Sequence, residues 1–98
     1  MNAMDVFQHE APEVAKAFEG LIQSLVSTKG LDNKTKQLIY IALKTATSDK
    51  TALQFHVPMA KSLGATKEEV RDAILLTLTV SGITGVADCL PEAMYFYK

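Results

Sequence analysis

The segment LGATKEEV restricts the fold of this chain more than any other part of its sequence. Gly64 is typical of the residue that follows the end of a helix, because glycine adopts the left-handed backbone conformation without a Cβ clash. Thr66 and Glu69 have the spacing of a capping box, in which each side chain accepts a hydrogen bond from the other residue's backbone N–H. Ala65 and Val70 are placed to pack against each other across this turn. The segment therefore predicts one helix that ends near Gly64 and another that begins after Thr66.

Apolar residues recur at helical spacing in the segments on both sides of this turn. Pro12 suits the first position of a helix, and Asp32 suits the cap of the next one. Ser48 or Asp49 can cap the helix that leads to Gly64. No segment alternates apolar and polar residues over a useful length, which would be the pattern of a half-buried strand. The sequence therefore predicts an all-α protein, a helical bundle of four to six helices.

The predicted helices have apolar faces that should meet in a core. On the helix after Asp32, the inner residues are Leu38, Ile41, Ala42 and Thr45. On the helix that ends near Gly64, they are Leu53, His56, Val57, Ala60 and Leu63. On the helix after Thr66, they are Val70, Ile74, Leu75 and Leu78. Gly82 and Gly85 are predicted to interrupt the following segment, and Pro91 either kinks the last helix or begins a short one.

Composition bounds the size of the core and favours self-association. Ninety-eight residues correspond to one domain, residues 1–98. Of these residues 48% are hydrophobic, which is a high share for so small a domain. Such a chain should leave an apolar face exposed, and faces of this kind usually mark contacts between subunits. We therefore expect the chain to bind copies of itself.

Charge and cysteine content argue against several classes of protein. The net charge is −1, so the chain lacks the basic character of a nucleic-acid-binding protein. The longest apolar stretch, AILLTLTVSGITGVA, is too short and contains too many polar and glycine residues for a confident membrane span. The N-terminus lacks the basic and then apolar order of a signal peptide. Cys89, as the single cysteine, cannot form an intrachain disulfide. We expect a cytoplasmic protein with neither nucleic acid nor membrane as a partner.

His56 is the residue whose role decides what the chain can do. In a DNA-binding helix-turn-helix, the helix after Thr66 would face DNA, but its KEE start would repel phosphate. A metal site needs three or four regularly spaced ligands, and His9, His56 and Cys89 lack such spacing. We expect no metal and no cofactor. Two interpretations of His56 stay open, a hydrogen-bonded core residue and an acid–base group.

Most of the chain, from about Phe18 to Met94, resembles the carboxymuconolactone decarboxylase family, which includes the alkylhydroperoxidase-D-like proteins. GLDNKTKQL resembles the start of that family's second helix. FHVPMAKSLGATKEEV resembles its histidine, glycine turn and capping box, and SGITGVADCL resembles the small-residue stretch before its last helix. The resemblance implies an alkylhydroperoxidase-D-like fold with a helical hairpin that packs between subunits. It also implies a homodimer, homotrimer or homohexamer.

The peroxidase branch of this family resembles the chain in having a histidine at the position of His56. It also has a glutamate at the position of Gln37 and a Cys-x-x-Cys pair at the positions of Asp49 and Ala52. Neither Asp49 nor Ala52 can form a thiolate, and the amide of Gln37 cannot shuttle a proton. The resemblance leaves peroxiredoxin or alkylhydroperoxidase activity as a family-level alternative, and we expect its two-cysteine mechanism to be absent.

The decarboxylase branch resembles the chain more closely, because it keeps the histidine and lacks the cysteine pair. The resemblance implies lyase-type acid–base chemistry on a small carboxylic acid or lactone. Loss of CO₂ beside a carbonyl group leaves an enolate-like carbanion, and a histidine of near-neutral pKa can deliver its proton. The candidate catalytic residues are His56, Gln37 and Asp49, and the candidate pocket residues are Tyr40 and Ala52.

The cations near the histidine depart from the pattern expected of the decarboxylase branch. An anionic substrate favours an arginine beside the histidine, but Gln54 and Pro58 occupy the flanking positions here. The available cations are Lys44, Lys50 and Lys61, which bind carboxylates less specifically. A second function therefore stays open: a non-catalytic oligomeric helical protein that retains the fold.

Overall fold

The computed structural model describes residues 1–98, and every regular element in it is a helix. Six helices have two turns or more, and a seventh, α6, is a single turn of four residues. Their bounds are α1 Ala3–Glu10, α2 Pro12–Ser27, α3 Asn33–Ala46, α4 Lys50–Ser62, α5 Lys67–Leu76, α6 Leu78–Ser81 and α7 Ile83–Tyr95. The predicted all-α fold is confirmed.

The chain forms two compact units, residues 1–30 and residues 31–98. The first unit contains α1 and α2. Helix α1 was not predicted, although Asn2 and Asp5 form a capping box at its start. Pro12 is the first residue of α2, as predicted. The Phe7 and Phe18 rings connect the two helices in an edge-to-face contact, with ring centroids 5.9 Å apart.

The second unit has a core built by α3, α4, α5 and α7. Its largest fully buried side chains are Ile41, Leu53, Ile74, Val57, Val70, Thr45 and Cys89. Residues predicted to face inward on α3, α4 and α5 supply most of this set. Burial of one such aliphatic side chain stabilises the fold by roughly 1.5–3 kcal/mol, so these residues determine how α3 and α4 are held against each other.

The turn between α4 and α5 forms as predicted. Gly64 has a φ of +94°, in the left-handed region that favours glycine. The Thr66 hydroxyl accepts a hydrogen bond from Glu69 N–H at 3.1 Å, and Glu69 Oε1 accepts one from Thr66 N–H at 2.9 Å. Ala65 and Val70 are both buried. Together these contacts fix the angle at which the chain enters α5.

Three leucines predicted to face the core are exposed instead. Leu63, Leu75 and Leu78 have exposed fractions of 40%, 36% and 40%. Leu63 comes after the last residue of α4, so it no longer follows the helical period. Helix α5 ends at Leu76, and the buried Thr77 occupies the inner position at this break. For Leu63 and Leu78 the periodic pattern of the sequence extended past the ends of α4 and α5, whereas Leu75 lies inside α5 beside the buried Ile74.

Gly82, with a φ of +83°, separates α6 from α7, as predicted. Gly85 lies inside α7, so the prediction that it also interrupts this helical segment was wrong. A Cβ atom at Gly85 would collide with the backbone carbonyl of Thr45 at the end of α3. That carbonyl also accepts a hydrogen bond from Ser48 N–H at 2.9 Å. Ser48 has a φ of +55°, which is costly for a residue with a side chain. The close approach of α7 therefore supports the tight turn that leads into α4.

Candidate functional site

His56 lies at the edge of the core-facing side of α4 and is half-buried. Leu53, Val57 and Ala60 on the same helix are completely buried. The ring, predicted to point inward with this apolar stripe, is therefore only partly buried with it. The imidazole faces α3 across the outer edge of the contact between the two helices, where it is partly shielded and still reached by solvent.

Two side chains of α3 position the His56 ring. Gln37 and Tyr40 are three residues apart and so lie on one side of their helix. Gln37 Oε1 lies 2.9 Å from His56 Nδ1, and the Tyr40 ring stacks on the imidazole at 5.2 Å between centroids with a 22° interplanar angle. Phe55 adds an edge-to-face contact at 5.1 Å, which the sequence did not indicate. The ring is thus fixed in position and in orientation.

The Gln37 contact decides which nitrogen of His56 is free to react. An amide oxygen only accepts hydrogen bonds, so the Nδ1–H of the neutral ring donates to Gln37 Oε1. The lone pair then resides on Nε2, the nitrogen on the other side of the ring. A histidine held as this tautomer can take up or release a proton at Nε2 without losing its support at Nδ1.

Burial lowers the pKa of His56 below its ordinary value of 6.5, and the positive charge of Lys44 lowers it further. The negative charge of Asp49 acts in the opposite direction and raises the pKa. A pKa below 6.5 makes the neutral form dominant at pH 7. Burial lowers the pKa of any histidine, so the feature particular to this site is the pair of opposite charges on Lys44 and Asp49.

Asp49 and Ala52 mark the N-terminal end of the site on α4. Asp49 Oδ1 accepts a hydrogen bond from Ala52 N–H at 3.1 Å, which makes Asp49 the predicted cap of α4. Its other oxygen, Oδ2, lies 3.6 Å from Lys44 Nζ. Asp49 therefore acts on His56 through its charge and not as a hydrogen-bond partner of the ring. Ala52 is half-buried, carries only a methyl group and precedes His56 by four residues on the same helix.

Cys89 is completely buried in the core of the second unit, and burial raises the pKa of its thiol. A thiol of this kind is a poor nucleophile, because the thiolate is the reactive form. No three His, Cys, Asp or Glu side chains are grouped closely enough to hold a metal ion. None of the helices combines the length and apolar character needed to cross a membrane.

The titration of His56 provides a direct check on this geometry. We expect NMR to give its ring a pKa below 6.5, with His9→Gln identifying the second imidazole. In the unfolded chain His56 has its ordinary pKa of 6.5, so it binds a proton at a higher pH than in the folded protein. The folded protein therefore loses stability as the pH falls from 6.5 to the lower pKa of the folded state. Gln37→Glu should raise the pKa, since a carboxylate stabilises the imidazolium. A wild-type pKa at or above 6.5 would contradict the partial burial of the ring.

Comparison with known proteins places the chain in a family context. Residues 12–93 match the carboxymuconolactone decarboxylase family. An uncharacterized protein of Methanocaldococcus jannaschii, MJ0742, is 32% identical over 83 residues, which cover 84% of this chain and 80% of that protein. A second uncharacterized protein of the same organism, MJ1511, is 26% identical over 82 residues, 84% of this chain and 77% of that protein. No solved structure matches.

Proposed function

This chain belongs to the carboxymuconolactone decarboxylase family, and we propose that it catalyses lyase-type acid–base chemistry on a small carboxylic acid or lactone, with His56 as the proton-transfer group. The observation that carries the proposal is the 2.9 Å contact between Gln37 Oε1 and His56 Nδ1, which leaves Nε2 available. The half-buried ring with its single hydrogen bond at Nδ1 supports a role in proton transfer. The single cysteine supports a reducing cytoplasm as the location of this activity.

The proposed reaction removes a carboxylate beside a carbonyl group. The C–C bond to the carboxylate breaks, CO₂ leaves, and the bonding electron pair remains as an enolate. The ring must be protonated for this step: the imidazolium form of His56 donates its Nε2 proton to form the new C–H bond, and solvent then returns a proton to Nε2. Atoms and electrons balance with no oxidant or reductant, and the protein supplies a positioned proton.

The other candidate residues support this one step. Gln37 holds the tautomer, and Tyr40 covers one face of the imidazole, so both are positioning residues. Asp49 opposes the effect of Lys44 on the ring and keeps the imidazolium form accessible. The small side chain of Ala52, four residues before His56 on α4, would leave room for substrate beside the ring.

Incubation of the full chain in D₂O with a panel of small β-keto acids, unsaturated acids and their lactones tests the proposal. NMR would follow both loss of substrate and entry of deuterium at the carbon that lost CO₂. We expect at least one compound to be turned over with deuterium at that carbon. Absence of turnover across the panel would favour the second function, a non-catalytic oligomeric helical protein.

Two features argue against the family's two-cysteine peroxidase chemistry as a further alternative. Asp49 and Ala52 stand at the positions of the redox pair and carry no sulfur. Cys89 is buried with a raised thiol pKa and has no second cysteine with which to form an intrachain disulfide.

Self-association is a separate proposal, supported by an exposed apolar stretch in the second unit. Residues 73–87 contain no charged side chain. Within them Leu76, Val80 and Ile83 have exposed fractions of 73%, 84% and 65%. An uncharged surface of this kind is typical of contacts between subunits. This surface has no charge with which a charged partner could pair, so a second copy of the chain suits it better.

We expect Val80→Asp to weaken assembly and leave the helical content unchanged. Val80 is largely exposed, so the substitution removes nothing from the core and adds a charge only to the proposed contact. Sedimentation velocity at micromolar concentration should show a shift from oligomer to monomer. Val14→Asp, a similarly exposed valine of the first unit, is the matched comparison. A wild-type chain that is monomeric under these conditions would refute self-association.

A further inference from the structure

The sequence offered Lys44, Lys50 and Lys61 as cations for the His56 site without distinguishing among them. The structure indicates which of the three acts there. Lys61 Nζ donates to the Phe96 carbonyl at 2.8 Å and lies 5.2 Å from the centroid of the Tyr97 ring. Lys50 is the exposed first residue of α4. Lys44 alone of the three has a charge that acts on the imidazole. It is also half-buried on α3, the helix that supplies the other partners of the ring.

Lys44 continues the face of α3 that meets His56. It follows Tyr40 by four residues and Gln37 by seven, so the three side chains lie along one side of the helix. Gln37 and Tyr40 contact the imidazole directly. The Lys44 ammonium reaches the N-terminal end of α4, where it meets Asp49. The Lys44 charge therefore lies within electrostatic reach of the imidazole.

The ion pair between Lys44 and Asp49 is loose. Its 3.6 Å separation exceeds the length of a charge-assisted hydrogen bond, about 2.8 Å. The side chains are 41% and 42% exposed, so water screens the pair and it contributes little to stability. Asp49 is also held in place by its cap on Ala52 N–H. A carboxylate from solution can therefore replace Asp49 at Lys44 at little cost.

We propose that Lys44 binds the anionic group of the substrate in place of Asp49 and makes the site selective for carboxylates. The inference rests on the proposed acid–base function and adds a specificity-determining residue to it. A bound carboxylate would bring a second negative charge beside the imidazole and neutralise Lys44. The pKa of His56 would then rise, so the ring would take up its proton when substrate arrives.

Binding of malonate to the full chain, followed through the His56 ring signals by NMR, tests the proposal. Malonamide is the neutral control of the same size. We expect malonate to bind and raise the pKa of His56, and malonamide to do neither. Lys44→Met should weaken malonate binding at least about tenfold. Lys50→Met, the matched removal of a nearby lysine, should change it less than about twofold.

Asp49→Asn separates this proposal from simple attraction of an anion to a basic surface. Asparagine still caps α4 but no longer competes for Lys44, so malonate should bind more tightly. Unchanged binding in Lys44→Met, or equal binding of malonamide, would overturn the proposal. These readouts need no turnover: a malonate effect that depends on Lys44 supports the anion site even if the His56 chemistry fails. Turnover that needs His56 but not Lys44 overturns the anion site alone.

Discussion

Gly85→Ala should destabilise the fold by about 3 kcal/mol, although alanine is the better helix former. A methyl group at this position would collide with the Thr45 backbone carbonyl. Backbone cannot yield as a flexible side chain would, so α3 and α7 must separate. The same carbonyl supports Ser48, whose φ of +55° already carries strain. Urea denaturation should show a lower midpoint with little change in slope.

Two control substitutions isolate the contact from helix propensity. Ala87→Gly, on an exposed position of α7 two residues away, should cost only about 1 kcal/mol. Gly20→Ala in α2, where an added Cβ meets no atom within 4 Å, should stabilise by about 0.5–1 kcal/mol. A Gly85→Ala protein as stable as the wild type would show that α7 does not approach α3 in this way.

His56→Asn should lower turnover by about 10²–10⁴-fold while the protein folds and assembles normally. Asparagine keeps much of the size of the ring and can still donate to Gln37 Oε1. It cannot titrate near neutrality, so the proton-transfer step loses its donor. The measurement is the rate on the compound found in the D₂O panel, together with the thermal midpoint of each variant.

His9→Asn is the matched control, since it makes the same replacement at an exposed histidine of the first unit. It should leave both rate and thermal midpoint unchanged. A His56→Asn protein that keeps the wild-type rate would remove His56 from the chemistry. Loss of the fold in that variant, with no change in rate per folded molecule, would favour the structural interpretation.

The turn at Gly64 and the caps of α3, α4 and α5 were predictable because each depends on residues within four positions of one another. The core of the second unit followed from helical spacing in the same way. Errors arose where a helix ended. In the sequence Leu63 and Leu78 match the helical spacing, but in the structure they lie beyond the last residues of α4 and α5.

The site was predictable as a set of residues and not as an arrangement. Resemblance indicated His56, Gln37 and Tyr40, and the structure brings these three side chains together. That the ring sits at the edge of the core depends on how α3 and α4 cross, which no local pattern specifies. The role of Lys44 and the contact at Gly85 depend on that crossing for the same reason.

The pH dependence of kcat tests most directly whether His56 delivers the proton. In the substrate complex, kcat should fall tenfold per pH unit above an inflection, because only the imidazolium donates. That inflection should equal the His56 pKa measured by NMR in a complex with an unreactive analogue, and should disappear in His56→Asn. A kcat that stays constant across the titration of the ring, or the same inflection in the variant, would contradict the account.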